Sequence, residues 1–372
     1  MTIDLDRAYY SELQYKSLNG EILSDEICEE ILTSKRIELL PLLDAAYQVR
    51  KQFAGNEVAV HIINNAQNGF CPEDCHYCAQ AKTSSAAIED YPLKSEEEIL
   101  LEAKRAHESG AFRYCMVFAG RGPSPRRIEL LAKLVVEIKK RYPIQVCISA
   151  GLINEEGAQR LHQAGLDRLN HNLNTSKRNY SQICTTHTFE DRLNTLKAAK
   201  HAGIELCSGM IVGMGEESTD IVEVAKNLRS LKVKSIPVNF LVPIDGNQLK
   251  NISHLTPEYC LRILCLYRFL NPKSELRVAA GREGHLRSME VMALYPANSL
   301  FLDGYLNTKG SSRLKTLRMI KDAGFTIKSE QSLEKLLEQE EGAVASFKID
   351  DQKFFMKDLK DLRPAFHGGK VN

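Results

Sequence analysis

Val58-Ala59-Val60-His61-Ile62-Ile63 decides the architecture. This largely β-branched run reads as a strand. It leads into a polar loop, Asn64 to Asn68, and then into helix-periodic sequence. The same order returns roughly every thirty residues, the length of one strand–helix–strand unit. Further strand-like runs lie near 112–119, 144–150, 167–172, 204–213, 235–241, 275–280 and 297–303. The amphipathic stretches between them open at recognisable caps. Ser95 with Glu98 and Thr188 with Asp191 have capping-box spacing, the second with Asp as the partner. Thr256 precedes Pro257, a cap followed by proline at the first helical position. Eight strands alternating with helices predict an α/β fold closed as a (β/α)8 TIM-type barrel. An open doubly wound sheet is compatible with the same alternation. In a barrel the chemistry sits at the C-terminal ends of the strands, so functional motifs are expected at or just after a strand.

Outward from this core, residues 1–56 read as an N-terminal helical extension packed on the barrel wall. Its apolar spacing runs through Leu39, Leu40, Leu42, Leu43, Ala46 and Val49. The barrel is expected over 57–310. Residues 311–372 contribute a C-terminal helix, Leu314 to Ala323, and a charged tail whose end, Phe354 to Asn372, has little to bury and is expected to be loosely ordered. The chain has 372 residues, 43% hydrophobic and 26% charged, enough to bury a sizeable core. Its net charge of +1 provides no global basic field for nucleic acid or an anionic membrane. No run approaches the roughly eighteen apolar residues of a membrane span. Met1-Thr2-Ile3-Asp4-Leu5-Asp6 lacks the basic-then-apolar order of a secretory leader. A cytoplasmic location is the expectation, and the ten cysteines are then reduced and available for metal or redox chemistry.

Gly69-Phe70-Cys71-Pro72-Glu73-Asp74-Cys75-His76-Tyr77-Cys78 follows the first predicted strand, with C-x3-C-x2-C spacing. Three thiolates on one loop can hold three irons of a [4Fe–4S] cluster and leave the fourth open to a small molecule. Structural zinc competes, but zinc prefers four closed ligands, usually in C-x2-C pairs or with histidine. His76 is crowded between two of the thiols. Three unrelated buried cysteines are the plain alternative. The spacing, with Tyr77 before the last cysteine, resembles the radical SAM superfamily, which places the amino and carboxylate groups of S-adenosylmethionine on the open iron.

A second set occupies matching places on other predicted strands: Cys115, Cys147 and Cys207. Strand side chains alternate between faces, so inward-facing cysteines from separate strands converge inside a barrel. Taken singly, each reads as a small buried hydrophobe. Taken together beside a cluster loop, they also read as a second metal centre, and both readings stand. Cys28, Cys184, Cys260 and Cys265 receive no role; the last two lie in an apolar helix and read as core.

From about Asn56 to Gly310 the chain resembles the biotin synthase family. The likeness rests on the Cys71–Cys78 loop, Asn170-His171-Asn172-Leu173-Asn174-Thr175-Ser176, Cys207-Ser208-Gly209-Met210-Ile211-Val212-Gly213-Met214-Gly215-Glu216, Ser235-Ile236-Pro237-Val238-Asn239-Phe240-Leu241 and Gly281-Arg282-Glu283. Departures such as Leu169, Asn174 and Ala279-Ala280 remove none of the proposed ligands. The resemblance implies radical insertion of sulfur into dethiobiotin. Cys71, Cys75 and Cys78 would hold the [4Fe–4S] cluster, and Cys115, Cys147, Cys207 and Arg282 a [2Fe–2S] cluster that supplies the sulfur. Arg282 is an unusual ligand, because a protonated guanidinium has no lone pair to offer; on its own it reads as an inward ion-pair arginine. Asn170 and Asn239 would bind the ureido ring of dethiobiotin. Asn172, Asn174 and Arg192 would contact S-adenosylmethionine. A flavodoxin or ferredoxin electron donor and a homodimer are also implied. Another sulfur inserter or maturase of the same branch is disfavoured by the strand cysteines, and a cluster carrier by the open iron position.

Overall fold

The computed structural model describes residues 3–249, 252–342 and 356–365. Every predicted strand run contains a strand: β1 (Glu57–Gln67), β2 (Arg113–Phe118), β3 (Gln145–Ser149), β4 (Arg168–Asn170), β5 (Glu205–Cys207), β6 (Met210–Val212), β7 (Ser235–Phe240), β8 (Glu275–Val278) and β9 (Ser299–Phe301). All pair in parallel, and Ala59 of β1 against Ser299 of β9 closes the ring. The run at 204–213 is two strands, not one, and both pair with β7 as halves of one barrel position. The break is at Ser208-Gly209. A Cβ on Gly209 would lie 1.8 Å from the Pro237 carbonyl oxygen, so only glycine permits this approach of the two backbones. The architecture is therefore a closed (β/α)8 barrel. A tenth strand, β10 (Thr326–Ile327), adds to the start of β1 outside the ring.

Strand parity sorts the side chains. Tyr114 points outward, where its hydroxyl donates to the Ile99 carbonyl of the helix Glu96–Glu108 at 3.1 Å. Its neighbours Arg113 and Cys115 therefore point inward. The predicted caps form at Thr188, as a reciprocal box with Asp191, and at Thr256 before Pro257. Ser95 caps its helix alone: it accepts from the Glu98 N–H at 3.2 Å, while the Glu98 carboxylate turns away to Arg363.

Three N-terminal helices, α1 (Ile3–Leu18), α2 (Asp25–Thr33) and α3 (Leu39–Ala54), pack on the barrel helix Pro257–Leu270. Every residue of that helix from Cys260 onward is buried, which explains its all-round apolar sequence. Arg262 secures the layer by donating to the carbonyls of Ile31 and Ser34, at 2.9 and 3.1 Å, and of Ile37. Leu42, Leu43, Ala46 and Val49 form the buried stripe of α3, whereas Leu40 faces solvent, 67% exposed, and does not belong to it.

The C-terminal helix forms at Arg313–Asp322. Residues 356–365 depart from the expectation of loose order. Leu362 is buried, its carbonyl accepts from the buried Lys94 ammonium, and Arg363 ion-pairs with Glu98. Phe354, Phe355 and 366–372 lie outside the described residues. Among the described residues no helix is long and apolar enough to cross a membrane.

Candidate active site

The cysteine loop leaves the C-terminal end of β1. Asn68 pairs antiparallel with Tyr91, and Gly69 turns at φ 80° with its Cα against the Asp90 carboxylate, where a Cβ would collide. The Cys78 N–H donates to the Cys75 carbonyl at 2.9 Å, making a tight turn between the second and third cysteines. Burial raises the Cys71 thiol, opposed by hydrogen bonds from the N–H groups of Glu73 and Gly120. Burial pushes Cys78 up to about 11, opposed by the N–H groups of Gln80 and Ala81. Backbone donors aimed at soft thiolates are the environment an iron–sulfur cluster requires, so this donor set fits one. Cys75 is turned differently: its S–H donates to Cys184 Sγ at 3.8 Å, which raises Cys75 and lowers Cys184 to about 4.

Tyr77 joins the loop to the run after β4. Its hydroxyl accepts from Asn174 Nδ2 and, at 3.4 Å, from Arg192. Asn174 sits at φ 70°, a left-handed conformation that asparagine tolerates. Arg192 also donates to the Asn172 carbonyl at 2.9 Å, to His187 Nε2 at 2.9 Å and to the Tyr180 hydroxyl. Asn172, Asn174 and Arg192 thus gather beside the cysteine loop. Above it, the loop after β7 closes down, with Asn247 donating to the Tyr77 carbonyl at 2.9 Å and Leu249 N–H to the His76 carbonyl at 3.0 Å.

Cys115, Cys147 and Cys207 converge inside the barrel with Ala279 and Phe301. Cys115 pairs with Cys147 in register, and Cys207 with Asn170, whose amide lies 3.3 Å from the Cys207 sulfur. The proximity of the three thiols lowers Cys115 and Cys207 and raises Cys147 well above the ordinary thiol range. Beneath the trio lies an ionic layer. Glu275 accepts from Arg113 at 3.0 Å, Arg168 at 2.9 Å, Arg277 at 2.6 Å and Ser235 at 2.9 Å, and His61 lies 3.1 Å away. Burial keeps His61 neutral by pushing its pKa well down. Three guanidinium groups share this one carboxylate, and Arg168 alone among them also pairs with Glu205. The surplus positive charge suits an anionic, thiolate-held centre.

Arg282 does not join the trio. Its guanidinium forms ion pairs with Glu283 at 2.9 Å and Glu290 at 2.7 Å and donates to the Phe301 carbonyl at 3.3 Å. The arginine against the sulfurs is Arg277, 3.9 Å from Cys207 Sγ. Asn239 lies at the end of β7, but both ends of its amide bond the backbone, donating to the Met210 carbonyl at 3.0 Å and accepting from Ala280 N–H at 3.2 Å. It ties β6 to β8, and its capacity toward a ligand is what remains. Tyr305 packs against the Cys115, Cys147 and Cys207 group, and burial raises its hydroxyl pKa above the ordinary phenol range. Sequence reasoning missed Arg277, Cys184, His187 and Tyr305.

Residues 68–228 match the Radical SAM superfamily, and 237–326 match the Biotin and Thiamin Synthesis associated domain. Over 311 residues the chain is 56% identical to the biotin synthase of Magnetococcus marinus, covering 84% of this chain and 97% of that protein. The biotin synthase of Acaryochloris marina is 54% identical over 321 residues, covering 86% and 92%. Among solved structures, methylornithine synthase superposes with a TM-score of 0.72 at 20% identity, covering 89% of this chain and 100% of that one. The hydrogenase maturase HydG from Carboxydothermus hydrogenoformans gives 0.74 at 19% identity, covering 88% and 81%. At these identities the structural likeness is one of fold alone.

Proposed function

Because the chain belongs to the biotin synthase family of radical SAM enzymes, we propose that it converts dethiobiotin to biotin by radical sulfur insertion inside the barrel. The observation that carries this reading is the convergence of Cys115, Cys147 and Cys207 inside a barrel whose first strand ends in the Cys71–Cys78 loop. When bound, a [4Fe–4S] cluster at Cys71, Cys75 and Cys78 with S-adenosylmethionine supplies the hydrogen-abstracting 5′-deoxyadenosyl radical, and a [2Fe–2S] cluster at Cys115, Cys147 and Cys207 supplies the sulfur. Arg277 takes the fourth place beside Cys207 in this proposal.

The protein's own part is positioning and exclusion. Arg192 and Asn174, both held on Tyr77, shape the S-adenosylmethionine pocket next to the loop. Asn170, directed at Cys207, offers an uncharged amide to the planar ureido group, which needs both donors and acceptors. Asn239 acts mainly by fixing the β6–β8 rim. The loop after β7, tied to His76 and Tyr77, keeps water from a radical that attacks any nearby C–H bond. A flavodoxin or ferredoxin donor, a homodimeric state and the division at residues 56 and 310 complete the proposal.

The test is anaerobic reconstitution with iron and sulfide, then incubation with dethiobiotin, S-adenosylmethionine and a one-electron reductant. Mass spectrometry is expected to find both biotin and 5′-deoxyadenosine. 5′-Deoxyadenosine without biotin, in protein carrying both clusters, would refute the substrate.

A further inference from the structure

Cys184 opens the segment Cys184-Thr185-Thr186-His187, which lies directly on the cysteine loop. His76 N–H donates to the Ile183 carbonyl at 2.9 Å, sewing the two segments side by side. Asp74 reinforces the contact by accepting from the N–H groups of Thr185 and Thr186 at 3.0 and 3.2 Å. Within this clasp Cys75 and Cys184 are both buried, with their sulfurs 3.8 Å apart.

Cys75, Cys184 and His187 bring one ligand atom each within 4.8 Å of one another, which raises the question of a mononuclear metal. The imidazole argues against it. Arg192 donates to His187 Nε2 at 2.9 Å, so Nε2 accepts and the proton sits on Nδ1, facing Glu73. Both ring nitrogens are engaged, and what remains is a dithiol. Disulfide sulfurs stand about 2.05 Å apart. The two segments are already bonded backbone to backbone, which holds the two sulfurs close together.

We propose that Cys184 is a resolving thiol for Cys75, forming a reversible disulfide with it in cluster-free protein exposed to a peroxide. This rests on the reading of Cys75 as a cluster ligand. The chemistry balances with hydrogen peroxide as the oxidant. One sulfur attacks a peroxide oxygen, the O–O bond breaks, and a sulfenic acid and one water result. The second sulfur displaces the hydroxyl from the sulfenic sulfur, which leaves with the thiol proton as a second water. Two electrons pass from the sulfur pair to the peroxide. Iron on Cys75 prevents the reaction, so the disulfide forms only after the cluster is lost. It holds Cys75 at an oxidation level that a thiol reductant reverses, short of the irreversible sulfonic acid.

The test compares full-length protein with and without its reconstituted [4Fe–4S] cluster. Each is treated with a few equivalents of hydrogen peroxide, alkylated, digested and mapped by mass spectrometry. Cluster-free protein is expected to yield a Cys75–Cys184 linked peptide, two hydrogens lighter than its parts and cleaved by dithiothreitol. Cluster-loaded protein is expected to yield none. In Cys184→Ser, Cys75 is expected to accumulate sulfinic and sulfonic acid severalfold over wild type. After reduction and reconstitution, this variant regains correspondingly less 400-nm cluster absorbance. Cys184→Ala guards against a folding defect particular to serine, and the wild-type mapping needs neither variant. Absence of the link, or linkage of Cys75 to Cys71 or Cys78 instead, would overturn the proposal. Equal linkage in cluster-loaded protein would support the pair but remove Cys75 from the cluster ligands, so the two readings fail separately.

Discussion

Replacing Glu275 with glutamine removes the one carboxylate that gathers Arg113, Arg168 and Arg277 inside the barrel. The side chain is 10% exposed, so water cannot take over its role. Breaking a buried ion pair from one side costs about 3–5 kcal/mol, because the partner charges stay behind. Unfolding entropy of roughly 2.1 cal/mol/K per residue, over 372 residues, converts that loss into a fall in Tm of roughly 4–6 °C. The control is Glu205→Gln, whose side chain is 47% exposed and pairs with Arg168 alone. It is expected to cost about 0–1 kcal/mol. Burial would raise the Glu275 carboxyl, but the charge of Arg113, the hydrogen bond from His61 and the charge of Arg277 hold it well below the usual carboxylate range. Its stabilisation is therefore full above the unfolded-state pKa of about 4.3 and is lost as pH falls through the depressed value. Thermal unfolding of cluster-free protein, repeated at descending pH, reads both effects. A Glu275→Gln Tm within a degree of wild type, or an unchanged acid limb, would refute the reasoning.

Arg277→Lys is expected to alter the visible spectrum of the second cluster and Arg282→Lys to leave it unchanged; absorption and circular dichroism of reconstituted protein decide, and the reverse pattern would restore Arg282. Cys115→Ala is expected to abolish biotin formation while 5′-deoxyadenosine is still released with S-adenosylmethionine and reductant, as read by mass spectrometry. Gly209→Ala drives a methyl into the Pro237 carbonyl; a loss of at least about 1–3 kcal/mol is expected in denaturant titration. Arg363→Ala removes the ion pair with the Glu98 carboxylate at a cost of about 1 kcal/mol. Hydrogen exchange is expected to quicken at 356–365 without change in the barrel strands.

The barrel was legible because short strand-like runs recur between capped helices, a pattern that depends on local chemistry alone. The N-cap at Thr188 and the Thr256-Pro257 start formed for the same reason. The failures have non-local causes. Glu98 has the right spacing for a capping box, but Arg363, far along the chain, claims its carboxylate. Leu40 fits an apolar stripe, yet the face toward the helix Pro257–Leu270 is set by how α3 lies on it. Cys115, Cys147 and Cys207 were found because strand parity sends them inward. The same count, applied to Glu275-Leu276-Arg277-Val278, sends Arg277 inward too; the motif match at Gly281-Arg282-Glu283 drew attention to a different arginine. The contact of Cys184 with Cys75 joins residues 109 apart in sequence and has no local signal.

The central claim is that sulfur held by the inward cysteine trio becomes the sulfur of biotin. Protein reconstituted with ³⁴S-sulfide, freed of excess sulfide and given dethiobiotin, S-adenosylmethionine and a reductant, tests it most directly. Biotin carrying ³⁴S, formed by wild type and not by Cys147→Ala, is the expected result; unlabelled biotin from the labelled protein would contradict it.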